Sequence, residues 1–244
     1  MIQLSIDTCN SLCAVALSRW QNERLQIIAE DTQDPGRGHA EILVGQIARL
    51  LAANGLRAAD LQRIAVTTGP GSFTGQRVGL ATARVLSASL NIEAVGVGVL
   101  DALLRQAAGQ SDSARTLCAV CDARRDAAYV KAADRDGTVR IEASLIPVSD
   151  LAARIDALPQ PLCLIGSGVS LADAAAGTGA ARSQGRQRLE TAFPDIATIA
   201  ELGHNMSAAE NPARPLYLRG ADAKPQSAKH VLRPAATDHH EVSL

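Results

Sequence analysis

The stretch VTTGPGSFTGQRVG, residues 66–79, decides the fold, because it joins a β-branched apolar run to a segment with helical spacing. Gly69, Gly71 and Gly75, with a proline between the first two, predict a tight turn from a strand into a helix. The N–H groups of such a turn and the positive end of a helix dipole can bind phosphate. Neither common phosphate motif is matched, since Gln-Arg follows Gly75 in place of the P-loop Lys and hydroxyl, and the GxGxxG spacing is not met. Two interpretations stay open: an anion site, or a turn that packs the helix closely on the sheet.

The first strand supplies further residues to a candidate anion site. Ile2, Leu4 and Ile6 alternate with polar residues and predict a strand that ends at Asp7. A strand that ends in Asp-Thr before a turn and an antiparallel strand is typical of the phosphate-side hairpin of the actin-like fold. The candidate nucleotide or phosphate loop therefore comprises Asp7, Thr8, Gly69, Gly71, Ser72, Thr74 and Gly75.

The elements around this turn occur in the same order twice. The first 100 residues predict β-β-β-α-β-α, with strands over 2–7, 12–18, 25–31, 60–67 and 91–98 and helices over 39–54, 74–90 and 100–108. The next segment predicts β-β-β-α-β, with strands over 115–120, 126–132, 138–145 and 161–166 and a helix over 149–157. With the Asp-Thr hairpin, this repeat predicts an α/β fold of the duplicated actin-like ATPase (ASKHA, ribonuclease H-like) class, in which each of two subdomains has a mixed sheet and helices.

The domain boundaries follow from this repeat. We expect an N-terminal subdomain over 1–100, completed by a C-terminal helix near 195–220, and a second subdomain over 101–194. Residues 224–244 have little hydrophobic pattern and predict a flexible tail, which includes His239 and His240.

Composition excludes several classes of protein. Hydrophobic residues make up 47% and charged residues 20% of the 244, which is enough for a packed core. The net charge of −1 and the aromatic content of 2% argue against a protein that wraps nucleic acid by itself. The N-terminus lacks a basic region followed by a long apolar run, and no segment approaches the roughly 20 apolar residues of a membrane span. We therefore expect a cytoplasmic protein without a membrane partner.

The five cysteines do not predict a disulfide framework, because their number is odd. Cys118 and Cys121 have CxxC spacing but lie in a predicted strand, where residues three apart point to opposite faces. We interpret them as small buried hydrophobic residues and predict no metal site.

Five segments, distributed over most of the chain, match one known family: SIDTCNSLCAVAL (5–17), GHAEIL (38–43), IAVTTGPGSFTGQRVGLATARVLS (64–87), CDARRDAAY (121–129) and RPLYLR (214–219). With these segments the chain resembles the TsaB family, also called YeaZ. GPGSFTG followed by Arg and Gly is highly specific to that family, whereas residues 140–210 support the resemblance poorly.

The resemblance implies a fold, partners and a role. The family has the duplicated actin-like fold and is a non-catalytic paralogue of TsaD, which is glycoprotease-like. It implies a direct heterodimer with TsaD, joined by the ATPase TsaE and by tRNA through the complex. The assembly transfers a threonylcarbamoyl group to the adenosine 3′ of the anticodon in tRNAs that read codons beginning with A. The chain would then be a scaffold or activating subunit.

The residues do not predict catalysis by the chain alone. The catalytic paralogue holds its metal with an HxxxH pair, and the corresponding stretch here, GVGVLDALL (96–104), has no His. The alternative is a stand-alone enzyme of the actin-like fold, either a peptidase or a small-molecule kinase, with Ser72 as the conceivable nucleophile. We expect no tightly bound cofactor and no more than weak ATP or ADP binding.

Two helices are the expected partner surface, and three arginines are candidates for RNA contact. The resemblance points to helices 39–54 and 74–90, and both are apolar over more than one face, so each must bury a second face. That face is buried either between sheet and domain within the same chain or against a helix pair of a partner. The same helices can support a competing homodimer. Arg77, Arg124 and Arg125 are the candidate RNA contacts, although ion pairs explain them equally well. The candidate interface residues are His39, Leu43, Val44, Ile47, Leu50, Val78, Ala81 and Val85.

Overall fold

A computed structural model describes residues 1–36, 38–111, 114–176 and 186–219. The predicted flexible tail, 224–244, lies outside the described residues. The predicted boundaries of the two subdomains stay a prediction.

The first sheet is mixed and has five strands. Strand β1 pairs with β2 in antiparallel and with β4 in parallel fashion, and the spatial order is β3-β2-β1-β4-β5. The strands are β1 (Ile2–Asp7), β2 (Cys13–Gln21), β3 (Arg24–Gln33), β4 (Arg63–Gly69) and β5 (Glu93–Gly98).

The second sheet repeats this construction. Its order is β8-β7-β6-β9-β10, with the first three strands antiparallel and the last three parallel, as in the first sheet. This repeat confirms the predicted duplicated α/β fold. The strands are β6 (Thr116–Asp122), β7 (Ala127–Asp134), β8 (Val139–Pro147), β9 (Leu162–Ile165) and β10 (Arg186–Leu189).

Six α-helices of the described residues cover the two sheets. Helix α5 and strand β10 have no counterpart among the predicted elements, because eight and four residues are too short to show a period. The helices are α1 (His39–Ala53), α2 (Phe73–Leu90), α3 (Val99–Gln110), α4 (Val148–Asp156), α5 (Val169–Ala176) and α6 (Ile196–Asn205). None of these helices combines the length and the hydrophobicity that a bilayer crossing requires.

Helices cover the first sheet on both faces. Leu4 and Ile6 of β1 pack in one core with residues of α1 and α2. Gln3 and Ser5 point to the other face and are also buried, and Gln3 Nε2 donates to the Ala200 carbonyl of α6 at 2.8 Å. The alternating pattern of β1 therefore marks two buried faces rather than one buried and one solvated face.

Helix α3 lies between the two sheets. Leu103 and Ala107 belong to the core that covers one face of the second sheet. Ala102 belongs to the core formed by the first sheet and α6, with Val97 and Ile199. The two halves thus share a helix, and the cleft described below opens beside it.

Candidate functional site

The glycine-rich turn connects β4 to α2 as the sequence predicts. Gly69 has a φ of 105°, a conformation that a side chain would strain. Ser72 is the N-cap of α2, and its hydroxyl oxygen accepts a hydrogen bond from the Gly75 N–H at 3.2 Å. The Ser72 side chain is therefore used to start the helix.

The space beside the turn is filled by the hairpin that follows β1. A Cβ added at Gly71 would overlap the Cys9 carbonyl oxygen, and one at Gly75 would overlap the Thr8 carbonyl oxygen. The Ser72 N–H donates to the Cys9 carbonyl at 2.7 Å. The glycines therefore permit close packing of this hairpin on the turn, and the Ser72 N–H is paired within the chain.

Asp7 and Thr8 hold this hairpin in place. The buried Asp7 carboxylate accepts hydrogen bonds from the Cys9 N–H at 2.9 Å, the Thr67 hydroxyl at 2.7 Å and the Asn10 amide at 2.8 Å. Burial raises the pKa of Asp7, although these hydrogen bonds act in the opposite direction. The Thr8 hydroxyl donates to the Gly75 carbonyl at 2.7 Å. Both side chains therefore have structural partners.

His39 fixes the turn between β1 and β2. Its Nε2 lies 3.1 Å from the Asn10 carbonyl oxygen and 3.2 Å from that of Leu12, so this nitrogen carries a proton and donates. His39 thus connects the start of α1 to the first hairpin through two hydrogen bonds.

A second aspartate hairpin lies at the end of β6, and sequence reasoning missed it. The Asp122 carboxylate accepts from the Arg124 N–H at 2.7 Å, two residues on, as Asp7 does from Cys9. Arg124, Arg125 and Asp126 all have a φ between 53° and 60°, which is unfavourable for side-chain-bearing residues. The available sequence signal was an Asp at the end of the first strand of each repeat.

The two hairpins face a cleft of about 770 Å³ between the halves. Four residues of the predicted loop, Gly71, Ser72, Thr74 and Gly75, line the cleft, whereas Asp7, Thr8 and Gly69 do not. The other half contributes a polar wall, which includes Asp122, Arg124, Tyr129 and Ser167.

The predicted partner surface divides into exposed and buried residues. Val44 of α1 is 63% exposed and Val85 of α2 is 67% exposed. Ala81, one turn before Val85 in α2, is also exposed. Val78 is half-buried and lines the cleft. Val44, Ala81 and Val85 thus form an exposed apolar face of the packed helices α1 and α2, and none of the described residues covers it.

Three predicted interface residues need a correction. Leu43, Ile47 and Leu50 are buried in the core between α1, α2 and the first sheet. Their side chains cannot reach a partner while the chain is folded, because they fill the part of α1 that packs on α2 and the first sheet.

One of the three candidate RNA contacts, Arg77, lies on α2, and the other two, Arg124 and Arg125, are neighbours in the second aspartate hairpin. Arg77 extends over the Phe73 ring, 3.8 Å from its centroid, and its Nε donates to the Tyr217 hydroxyl at 3.2 Å. Arg124 is exposed at the cleft and lies 3.9 Å from the Asp122 carboxylate. Arg125 also makes an interaction within the chain. RNA contact through these residues stays a prediction.

The cysteines are buried and free, as expected for small hydrophobic residues. Cys118 packs in the core under α4, and Cys121 packs in the core under α3, so they lie on opposite faces of β6. Burial raises the pKa of each thiol to about 12. Among the residues that the structure describes, no cluster of His, Cys, Asp or Glu could hold a metal ion.

Comparisons with known proteins agree on one family. The family model described as "TsaD: tRNA N6-adenosine threonylcarbamoyltransferase" matches residues 26–167. An uncharacterized protein of Mycobacterium tuberculosis is 32% identical over 225 residues, which cover 91% of this chain and 93% of that protein. The tRNA threonylcarbamoyladenosine biosynthesis protein TsaB of Escherichia coli is 30% identical over 133 residues, which cover 54% of this chain and 55% of that one.

A solved structure shares the fold. YeaZ from Pseudomonas aeruginosa superposes with a TM-score of 0.70 at 22% identity, over 89% of this chain and 99% of that chain. At this identity the likeness concerns the fold alone.

Proposed function

Because this chain belongs to the TsaB (YeaZ) family, we propose that it serves tRNA threonylcarbamoyladenosine biosynthesis as a scaffold or activating subunit that binds TsaD. In this role it has no catalysis of its own. TsaE and the tRNA join through the complex, and a second copy of the chain competes for the same surface.

The observation that carries this proposal is the uncovered apolar face of α1 and α2. Val44 and Val85 are the most exposed large hydrophobic side chains of the described residues. They lie on packed neighbouring helices, and an apolar helix face that water would otherwise contact is typical of a helical interface. A helix pair of TsaD laid on α1 and α2 would bury both valines.

The residues of the candidate nucleotide or phosphate loop give less support to a stand-alone enzyme. Ser72, the conceivable nucleophile, is engaged as a helix cap, and the Asp7 carboxylate is buried among three donors. For nucleotides we propose weak binding only, in the cleft beside Gly71 to Gly75, because the Thr8 and Cys9 carbonyls crowd the turn. A peptidase or kinase would have to use other groups.

The test is complex formation with the TsaD of the same organism, measured by size-exclusion chromatography with light scattering. We expect a one-to-one complex that replaces any homodimer. Val44→Glu and Val85→Glu should each weaken it roughly 100-fold, because an unpaired charge buried at an interface costs about 3 kcal/mol. Val139→Glu is the matched control, since Val139 is 44% exposed on β8, far along the chain from the helix face.

The absence of any complex between the unmodified proteins at micromolar concentration would overturn the proposal. Turnover of a peptide or a phosphoryl acceptor by the isolated chain would overturn the part that denies it catalysis. Binding that both glutamate variants retain would show that a different surface holds TsaD.

A further inference from the structure

Residues 211–219, here called the C-terminal strap, run across both halves of the molecule. The Gly96 N–H donates to the Asn211 carbonyl at 2.8 Å, and the Leu216 N–H donates to the Thr68 carbonyl at 2.8 Å. At the other end, Arg219 donates to the Ala123 carbonyl at 2.9 Å. The strap is therefore attached to the first sheet and to the second aspartate hairpin.

The middle of the strap builds an aromatic cluster at the start of α2. The centroids of the Tyr217 and Phe73 rings lie 4.9 Å apart. The Arg77 guanidinium extends over the Phe73 ring and donates a hydrogen bond to the Tyr217 hydroxyl. Tyr217 is nevertheless 43% exposed, Phe73 41% and the neighbouring Leu216 38%. The side chains are held in one geometry while much of their surface stays in water.

This cluster is continuous with the apolar face of α2. Phe73, Arg77, Ala81 and Val85 are exposed at intervals of four residues, so they form one stripe along the helix. Helix α2 has 18 residues and is about 27 Å long, and Tyr217 and Leu216 extend the stripe beyond its first turn. The strap thereby lengthens the surface that the proposed function assigns to the partner.

The composition of the cluster is that of an interface. The chain has only two Phe, two Tyr and one Trp, and one Phe and one Tyr are exposed together here beside an arginine. Tyr, Phe and Arg are enriched where proteins bind each other, and side chains already held in place lose little freedom on binding. We propose that Tyr217 of the strap is a contact residue for TsaD, an inference that rests on the proposed function.

The geometry of Tyr217 indicates which groups of TsaD would complement it. The Tyr217 oxygen accepts from Arg77 Nε, and within the described residues no group accepts the Tyr217 hydroxyl proton. The complementary site is an apolar side chain against the exposed rings and a carbonyl or carboxylate oxygen for the hydroxyl. A helix of TsaD that continues past the start of α2 would supply both.

The test is the dissociation constant of the TsaD complex, measured by titration calorimetry for the full chain. We expect Tyr217→Ala to raise it at least tenfold and Tyr217→Phe, which keeps the ring against Phe73, to raise it a few fold. Val139→Ser, at an exposed position on the second sheet, should leave it unchanged. Thermal melts of all variants confirm that they are folded.

The outcomes separate this inference from the function beneath it. If the unmodified chain binds TsaD, Val85→Glu weakens binding and both Tyr217 variants bind as tightly as the unmodified chain, the inference alone is overturned. An effect of Tyr217→Ala on self-association without an effect on TsaD binding would overturn it too. If the unmodified chain does not bind TsaD, the proposed function fails first and the inference with it.

Discussion

The two halves of the chain share a strand order but differ in how the turn after their fourth strand packs. In the first half the turn begins at Gly69 (φ 105°) and leads into the 18 residues of α2. In the second it begins at Gly166 (φ 113°) and leads into the eight residues of α5. Two residues after each glycine lies another, Gly71 or Gly168, which faces the hairpin of its own half.

The aspartates of the two hairpins differ in burial and in the number of hydrogen bonds that they accept. Asp7 is buried with three donors, whereas Asp122 is half-buried and caps its own turn at the cleft. The strand order is thus the same in both halves, while the first half packs its hairpin directly on the turn and leaves Val85 of α2 exposed. Topology alone would not have distinguished the two, because function depends on the side chains placed on a fold.

The contrast between the two halves would be wrong if both turns tolerated an added side chain equally well. We expect Gly71→Ala to destabilise the protein by about 3 kcal/mol, because the new Cβ overlaps the Cys9 carbonyl. Gly168→Ala should cost only about 1 kcal/mol, since its nearest atoms lie 3.0 Å away. Gly109→Ala in α3 is the control and should stabilise by about 0.5 kcal/mol, as nothing lies within 4 Å. Urea unfolding measures all three, and equal losses at Gly71 and Gly168 would contradict the contrast.

Removal of the aspartates sharpens the comparison further. Asp7→Ala should cost about 2 kcal/mol, because the buried Cys9 N–H and Thr67 hydroxyl lose their acceptor. Asp122→Ala removes one hydrogen bond of an exposed turn and should cost less than about 1 kcal/mol. Unfolding free energies of the two variants test this order. A larger loss at Asp122 would show that the second hairpin, and not the first, is the rigid one.

The smallest effect concerns pH. Residues 101–194 contain no histidine, whereas His204 of α6 stacks on Trp20 of the first sheet with ring centroids 4.0 Å apart. Burial, together with the charges of Arg63 and the N-terminus, lowers the pKa of His204 below 6.5. The unfolded chain then binds the proton more readily, so this contribution to stability is complete above pH 6.5 and is lost as the pH falls.

Urea unfolding at pH 7.5 and 5.5 tests this dependence. The unmodified chain should lose more stability between these values than His204→Gln does. Equal losses would show that His204 is protonated as easily in the folded chain as in the unfolded one.

The element order was predictable because alternation, helical spacing and Gly-Pro punctuation are local properties of the sequence. The two faces of β1 were not, since the helix that buries Gln3 follows about 200 residues later in the chain. The turn of residues 69–75 was predicted, but its contents were not, because the Thr8 and Cys9 carbonyls that fill it belong to another segment.

The partner surface shows the same limit on one helix. Leu43 and Val44 are adjacent and equally apolar, yet one is buried and the other is 63% exposed. On a helix that is apolar over much of its circumference, periodicity does not say which face meets the sheet. The predicted interface set therefore combined the exposed Val44 and Val85 with the buried Leu43, Ile47 and Leu50.

The position of α6 has a consequence for synthesis. Strands β1, β4 and β5 leave the ribosome first, but the helix that covers their second face is made only with residues 196–205. Until then Ala65, Val95 and Val97 have no cover from α6, while the whole second sheet is translated. The first half is therefore the first to be made and the last to be finished, and we expect a nascent chain that stops before α6 to expose apolar side chains of the first sheet.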